Sequence, residues 1–283
     1  MKVGLIRLFL ALCISCCAQT PKTLLWKISG NGLKESSYLF GTIHMTCDAT
    51  LKPKVMASLE ATQQLCLELD MDDPSLQMVM MAGMNMKNNN RLDSLLTPKE
   101  FQEVDTFLKA NLGYSAKMMN TIKPFMITAM LYPKMLDCPM QSVEQELMKV
   151  SKAQKEDVIG LEKVLEQMAV FDQIPYKDQA LELHQLAQKG IATQDTETKK
   201  MLDLYAQEDL DGLMQLFSNS ESQFYSKFED DLLVKRNKNW QERIPKIIQS
   251  KPTFIGVGAA HLGGKNGMIQ LLKDLGYTVE PIF

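Results

Sequence analysis

Two histidines in this sequence share a context that suits metal binding. His44 follows Gly41 and His261 follows Gly258 at the same three-residue spacing, each at the end of an apolar stretch. Taken singly, either histidine could merely cap a strand or hydrogen-bond a loop. The chain holds only 3 histidines, however, and the third, His184, lies in a helical pattern typical of the surface or of packing. We therefore interpret His44 and His261 as ligands of one divalent ion such as Mn, Co, Zn or Fe.

Two glutamates occupy comparable positions. Glu68 and Glu162 each come at the end of an apolar run. Because ligands in open α/β sheets bind outside the carboxyl ends of the strands, both carboxylates could join the histidines. A carboxylate there could be a metal ligand or the general base that takes a proton from water, and the pattern leaves that assignment open. Simpler interpretations also stand: Glu68 could face solvent at a sheet edge, and Glu162 could cap the next helix.

The order of apolar runs and turns predicts how these side chains meet. A strand, a helix and a second strand occupy residues 37–70, which is a β-α-β unit, and residues 252–282 repeat that plan. We predict an α/β fold in which two related β-α-β halves share a central sheet. A large, mainly helical insertion or cap is expected at about 74–249, interrupted by a strand near 157–162. The predicted strands cover residues 24–29, 37–43, 64–70, 157–162, 252–261 and 277–282, and helices are predicted over 53–64 and 268–275.

The composition narrows the class of protein. The chain has 283 residues, 45% of them hydrophobic, which is ordinary for a soluble globular protein and enough for a buried core. A net charge of −3 predicts no strongly basic face, so nucleic acid is not an expected partner. The sequence lacks the nucleophile elbow of serine hydrolases, the P-loop, the dinucleotide-binding glycine pattern and the His-Glu-x-x-His zinc motif.

The N-terminus has the features of an export signal. Residues 1–18 combine a positive start, a short apolar run and small residues, which leaves residues 19–283 as a single mature domain. Cleavage after Ala18 would release a soluble protein, whereas lipidation of Cys16 or Cys17 would attach it to a membrane. Both alternatives stay open, and they place the protein in the periplasm, at the outer membrane or outside the cell. The oligomeric state cannot be inferred.

After such cleavage three cysteines remain. Cys66 sits between leucines in an apolar run and is expected to be a small buried core residue. An oxidising compartment would then allow Cys47 and Cys138 to form a disulfide, although two free thiols are the competing interpretation.

Five segments, taken in order, resemble the TraB/GumN/Tiki family. The resemblance covers about residues 25–283, and it includes the C-terminal segment Leu271–Val279. Ala260 departs from the family, in which glycine is frequent just before the second histidine. The segments are Tyr38–His44, Leu67–Asp70, Gly160–Glu162 with Glu166 and Gln167, Arg236–Asn237 with Trp240, and Gly256–Leu262 with Gly264 and Gly267.

The resemblance implies an exported, metal-dependent hydrolase acting on a peptide or protein. Tiki members are regarded as metalloproteases that trim the N-terminal region of secreted signalling proteins, and TraB-type members shut down peptide pheromones. The resemblance also implies an α/β fold with two related halves, akin to ChaN-like and erythromycin-esterase-like proteins. The GumN-type bacterial members have no settled reaction.

The roles implied by the resemblance can be assigned to residues. His44, Glu68 and His261 would hold the ion, Glu162 would be the general base or a further ligand, and Arg236 with Asn237 would orient the substrate carbonyl or stabilise the oxyanion. Arg236 could instead be a solvated helix charge. The alternative function is a non-catalytic envelope protein that binds a metal, haem or a peptide.

Overall fold

A computed structural model describes residues 22–219 and 224–283. The predicted export signal, with Cys16, Cys17 and Ala18, lies outside the described residues. The strands are β1 Leu25–Ser29, β2 Ser37–Thr42, β3 Gln64–Leu69, β4 Asp157–Glu162, β5 Phe254–Gly258 and β6 Thr278–Pro281. The helices are α1 Pro53–Glu60, α2 Leu76–Gly83, α3 Leu92–Leu95, α4 Pro98–Leu112, α5 Pro124–Leu131, α6 Val143–Gln154, α7 Val164–Gln173, α8 Tyr176–Lys189, α9 Ile191–Ala206, α10 Leu210–Ser218, α11 Phe224–Lys227, α12 Lys235–Ser250 and α13 Met268–Asp274.

The six strands of the described chain form one mixed sheet in the order β4-β3-β5-β2-β1-β6. The four strands β4, β3, β5 and β2 run parallel, while β1 and β6 complete the sheet by antiparallel pairing. Every residue of β3 is buried, as expected for a central parallel strand covered on both faces. The predicted α/β fold is therefore confirmed, and the two β-α-β units interleave, because β5 of the second unit lies between β2 and β3 of the first.

Both candidate histidines lie beyond the ends of their strands. Strand β5 was predicted to run to His261, but it ends at Gly258, and His261 lies in a 3₁₀ turn over Ala259–His261. Strand β2 likewise ends at Thr42, two residues before His44. A turn at this point lets each side chain leave the plane of the pleat and reach across the edge of the sheet.

Helices cover the sheet and build its core. Helices α1 and α6 contact strands β2, β3 and β4, whereas α12 and α13 contact β4 and β6. The main hydrophobic cluster joins the sheet to these helices and includes Leu59, Leu147, Trp240 and Leu272, all of which are fully buried.

The remaining helices have their own cores. Helices α3, α4, α5 and α8 share a second hydrophobic cluster around Val104, Leu108 and Ile127. Helix α4 begins with a capping box, in which Thr97 caps the helix, Pro98 occupies the first turn and Glu100 bonds back to the backbone of Thr97. No helix among the described residues is both long enough and apolar enough to span a bilayer.

Candidate metal centre

The sheet brings four predicted site residues to one edge. In the register of the parallel strands, Thr42 of β2 pairs with Gly258 of β5, and Leu69 of β3 pairs with Glu162 of β4. The carboxyl ends of four consecutive strands therefore deliver Glu162, Glu68, His261 and His44 in that order across the edge. This is the position at which open α/β sheets bind ligands.

Arg236 occupies the centre of this cluster. Its Nη2 lies 2.5 Å from Oε2 of Glu68 and 2.5 Å from Oε1 of Glu162, and its Nη1 lies 3.1 Å from Nε2 of His261. The side chain is only 12% exposed, so the solvated helix charge considered from the sequence is not what the structure shows. A π-helical turn over Asp230–Val234 precedes Arg236 and accepts a hydrogen bond from it at the carbonyl of Leu232.

The carboxylates of Glu68 and Glu162 are buried, and each accepts hydrogen bonds from more than one donor. Glu68 accepts from the backbone N–H of Gly258 at 2.8 Å, and the amide of Gln167 donates to both Glu68 and Glu162, at 3.2 and 3.1 Å. Burial alone would raise the pKa of Glu68, but Arg236 and the two histidines hold this pKa well below its usual range. Glu68 therefore does not face solvent, and Glu162 points into the cluster instead of capping α7.

His261 is held in one neutral tautomer. Its Nδ1 lies 2.6 Å from Oδ1 of Asn237, while Nε2 faces the donor Nη1 of Arg236. Nδ1 must therefore carry the proton and donate to Asn237, leaving Nε2 as a lone-pair acceptor. Burial lowers the pKa of His261 to about 3, although the charge of Glu68 opposes this effect. The ring also lies against Trp240, with ring centroids 4.4 Å apart.

His44 is anchored at the same ring nitrogen by a different group. Its Nδ1 lies 2.7 Å from Oε1 of Glu144, at the start of α6. Desolvation opposes protonation of the imidazole, but the hydrogen bond and charge of Glu144 prevail and raise the pKa of His44 to about 9. Oε2 of Glu144 accepts from Ser142 at 2.8 Å, which fixes the carboxylate.

A disulfide fastens the loop of His44 to the helix of Glu144. Cys47 and Cys138 are bonded, with their Cα atoms 5.6 Å apart. Beside this bond, Thr46 and Gln141 exchange two backbone hydrogen bonds of 3.0 and 2.8 Å. The disulfide considered from the sequence thus has a specific location, three residues after His44 and six residues before Glu144.

Gly41 and Gly258, which precede the two histidines, have different structural roles. A side chain at Gly41 would meet Leu262 and Ala259, at 2.8 and 3.1 Å, so glycine lets the two histidine segments lie against each other. Gly258 instead offers its N–H to Glu68. The absence of a Cβ atom therefore matters most at Gly41.

The donor chemistry of this edge fits a divalent ion. Each imidazole has Nδ1 bound to a side-chain oxygen, the arrangement that metal-binding histidines show, and Nε2 is left as the ligand atom. Oε1 of Glu68 lies 3.8 Å from Nε2 of His261 and supplies an anionic oxygen. The ligand atoms of the predicted triad, His44, Glu68 and His261, do not all lie within 4.8 Å of one another. In this structure the guanidinium of Arg236 supplies the positive charge next to Glu68 and Glu162.

A second grouping of ligand atoms involves the disulfide. Within residues 22–219 and 224–283, the only three His, Cys, Asp or Glu side chains with ligand atoms within 4.8 Å of one another are Cys47, Asp137 and Cys138. The disulfide bond takes up both sulfur atoms, which leaves one exposed carboxylate and no metal site in this redox state.

Three other predicted residues can be placed. Asn237 has both amide hydrogens committed to the carbonyls of His261 and Asn266, so its side chain positions His261, in place of the predicted contact with a substrate carbonyl. His184 lies outside the cluster, 2.6 Å from Glu103. Cys66 is buried and free, as expected.

Two important residues were missed from the sequence. Glu144 carries the His44 anchor, and Gln167 links both glutamates. Glu144 could have been found by treating the Cys47–Cys138 pair as a distance restraint, because it brings the segment after Cys138 next to His44. Gln167 was noted only as part of the resemblance, and no spacing rule singles it out.

The fold and this edge define a class: an α/β protein with a histidine and carboxylate cluster at the carboxyl ends of parallel strands. The sequence matches the TraB/PrgY/gumN family over residues 24–281, and the chain belongs to that family. It is 22% identical to Metalloprotease TIKI2 of Danio rerio, over 91% of this chain and 60% of that protein. It is also 22% identical to Metalloprotease TIKI1 of Danio rerio, over 94% of this chain and 65% of that protein. The chain thus spans about three fifths of the length of these curated relatives. No solved structure matches the chain.

Proposed function

We propose that this protein is a metal-dependent hydrolase that cleaves a peptide or protein substrate outside the cytoplasm. The observation that carries the proposal is the convergence of His44, His261, Glu68 and Glu162 on one sheet edge, with both histidines anchored through Nδ1. Two relatives bearing the name metalloprotease support this class of reaction.

The residues divide into ligands and proton-handling groups. His44, Glu68 and His261 would hold the ion, which when bound acts as a Lewis acid and makes water nucleophilic near neutral pH. Glu162 shares Nη2 of Arg236 with Glu68 and is the carboxylate we assign to accepting the proton of the attacking water. Arg236 bridges the two carboxylates and would contribute positive charge toward a developing oxyanion.

Metal content is the direct test of the shared site. Elemental analysis is performed on the exported wild-type protein, on a His44→Ala/His261→Ala double variant, and on His184→Gln as a matched control, since His184 is outside the cluster. We expect near-stoichiometric transition metal in the wild type and the control, and none in the double variant. If none of the three binds metal, even after incubation with Mn, Co and Zn, the hydrolase proposal fails.

Catalysis is tested separately with Glu162→Gln. This variant should retain metal and lose metal-dependent cleavage of an unfolded protein substrate. Unchanged turnover would remove Glu162 from the proposed role. A metal-loaded wild type that cleaves nothing, but gains a haem absorption band that His44→Ala abolishes, would support the non-catalytic alternative.

A further inference from the structure

A crevice of about 410 Å³ opens beside the loop that carries His44. This volume lies within the range of ordinary ligand sites. Apolar side chains from the sheet, from α1 and from the start of α6 form part of its lining: Leu24, Phe40, Leu51, Val55 and Val143. The C-terminal half of α9 completes it with Leu202, Asp203 and Tyr205.

Three features place the crevice next to the candidate metal centre. Thr46 and Cys47 line it and follow His44 by two and three residues. Val143 lines it and directly precedes Glu144, the anchor of His44. Tyr205 also lines it, and its hydroxyl donates to the carbonyl of Gly41 at 3.0 Å, within the same segment as His44. A chain lying in the crevice would therefore lead to the His44 side of the sheet edge.

Acidic side chains outnumber basic ones in the lining of the crevice. Both of its lysines already have carboxylate partners: Lys52 lies 3.1 Å from Glu208, and Lys199 lies 3.4 Å from Asp137. Two further acids in the lining, Asp48 and Asp203, form no ion pair within the part of the chain that is described. Both are exposed, and Asp48 accepts hydrogen bonds from the backbone N–H and the side chain of Thr50. Glu208 is also paired with Lys54, at 2.9 Å. The lining thus offers apolar surface together with two exposed carboxylates, those of Asp48 and Asp203, that form no ion pair among the described residues.

We propose that this crevice is a substrate subsite that takes an apolar peptide segment carrying a lysine or an arginine. The inference rests on the proposed hydrolase function for its role in cleavage, but the binding itself does not require that function. Apolar side chains of the peptide would contact Leu51 and Leu202, and a basic side chain would lie between Asp48 and Asp203, where charge complementarity selects it.

The test uses three fluorescein-labelled decapeptides that differ at a single position. That position is lysine, glutamine or glutamate, and it is flanked by a leucine and a valine in all three. Fluorescence anisotropy measures their binding to the full-length protein, so the readout does not depend on turnover. We expect the lysine peptide to bind most tightly and the glutamate peptide least tightly. The Asp48→Asn/Asp203→Asn variant should lose roughly fivefold in preference for lysine over glutamine, since exposed charge contacts are modest.

A second variant tests the apolar part of the crevice. Leu51→Gln should weaken the binding of all three peptides without changing the charge, and Leu202→Gln replaces it if thermal melting shows that the first variant fails to fold. Glu35→Gln is the matched control, because Glu35 is exposed in the loop before β2, at the opposite end of that strand from His44. It should leave binding and charge preference unchanged.

The outcomes separate this inference from the proposed function. If peptides are cleaved but the crevice variants leave affinity and charge preference unchanged, the subsite proposal is overturned while the hydrolase proposal stands. If the lysine peptide binds in the crevice but no metal condition yields cleavage, the subsite is supported and the hydrolase proposal fails. If none of the peptides binds, the subsite proposal is overturned.

Discussion

His44 and His261 leave adjacent strands, yet the protein holds them in different ways. His261 is 4% exposed, is anchored by the neutral amide of Asn237 and lies against Trp240 in the main core. His44 is 64% exposed, is anchored by the carboxylate of Glu144 and stands on a loop fastened by a disulfide. The same ring nitrogen is fixed in both cases, but in the metal-free protein Nε2 of His44 carries a proton below about pH 9, whereas Nε2 of His261 is a lone-pair acceptor.

This difference indicates that the two halves of the centre depend on different forces. The His261 half, which includes Arg236 and the two glutamates, depends on buried hydrogen bonds and charge compensation, for which no solvent can substitute. The His44 half depends on a covalent bond and on one ion pair between an exposed imidazole and the buried carboxylate of Glu144. Substitutions in the buried half should therefore affect stability most, and those in the exposed half should mainly affect protonation.

The largest effect is expected from Arg236→Gln. This change leaves the carboxylates of Glu68 and Glu162 buried without their shared cation, which should lower the free energy of unfolding by about 3–5 kcal/mol. Urea unfolding of metal-free protein at pH 7 measures the loss. Arg91→Gln is the control, because Arg91 pairs with Asp93 at the surface and its loss should change the free energy of unfolding little. Equal losses in the two variants would contradict the buried-charge account.

The disulfide should rank next. It joins cysteines 91 positions apart, and its removal in a Cys47→Ser/Cys138→Ser variant should lower the free energy of unfolding by about 2–4 kcal/mol. A dithiol reductant should lower the urea midpoint of unfolding of the wild type to that of this variant. It should leave the midpoint of the variant unchanged. In NMR spectra the resonances of His44 should change and those of His261 should not. A reductant effect on His261 would show that the two halves are not independent.

A smaller effect is expected from Asn237→Ala. It leaves Nδ1–H of His261 and the carbonyl of Asn266 without their side-chain partner in a buried location, at a cost of about 1–3 kcal/mol. Asn111→Ala is the control, because that amide bonds only to Phe107 one turn earlier in α4, and its removal should change stability by less than about 0.5 kcal/mol. Equal free energies of unfolding for Asn237→Ala and Asn111→Ala would contradict the role of Asn237 as a buried anchor of His261.

The sequence predicted the buried half of this centre better than the exposed half. The apolar runs at 64–70 and 252–261 predicted strands, which the structure has at 64–69 and 254–258, so the positions of Glu68 and His261 near their ends followed from the fold rule. The 3₁₀ turn at Ala259–His261 was not predicted, because three residues carry no periodicity from which to read it.

The anchors could not be predicted in the same way. Glu144 is separated from His44 by 100 positions, and hydrogen bonds at that distance leave no local pattern. Arg236 illustrates the same limit, since a lone arginine on an amphipathic helix is compatible with solvent, and only the packing of α12 against β4 shows that it is buried.

The effect most specific to the comparison concerns the ionisation of the two histidines. Because the pKa of His44 is raised to about 9, its protonation stabilises the folded state fully below its unfolded value, near pH 6.5, and this contribution is lost as the pH rises through about 9. His261 behaves oppositely. Its pKa is lowered to about 3, so the unfolded chain binds a proton that the folded chain does not, and stability falls as the pH drops from about 6.5 toward 3.

Glu144→Gln isolates the His44 contribution, because it keeps a hydrogen-bond acceptor at the same place and removes the charge. In an NMR titration of the metal-free protein, the midpoint of His44 should fall from about 9 toward the ordinary value near 6.5, while His261 stays neutral across the neutral range. The stability difference between wild type and variant should be greatest below pH 6.5 and should vanish above about pH 9, in the order that linkage requires. A midpoint of His44 that does not move would show that the carboxylate of Glu144 is not what distinguishes the two histidines, and the exposed half of the centre would then need another source of its charge.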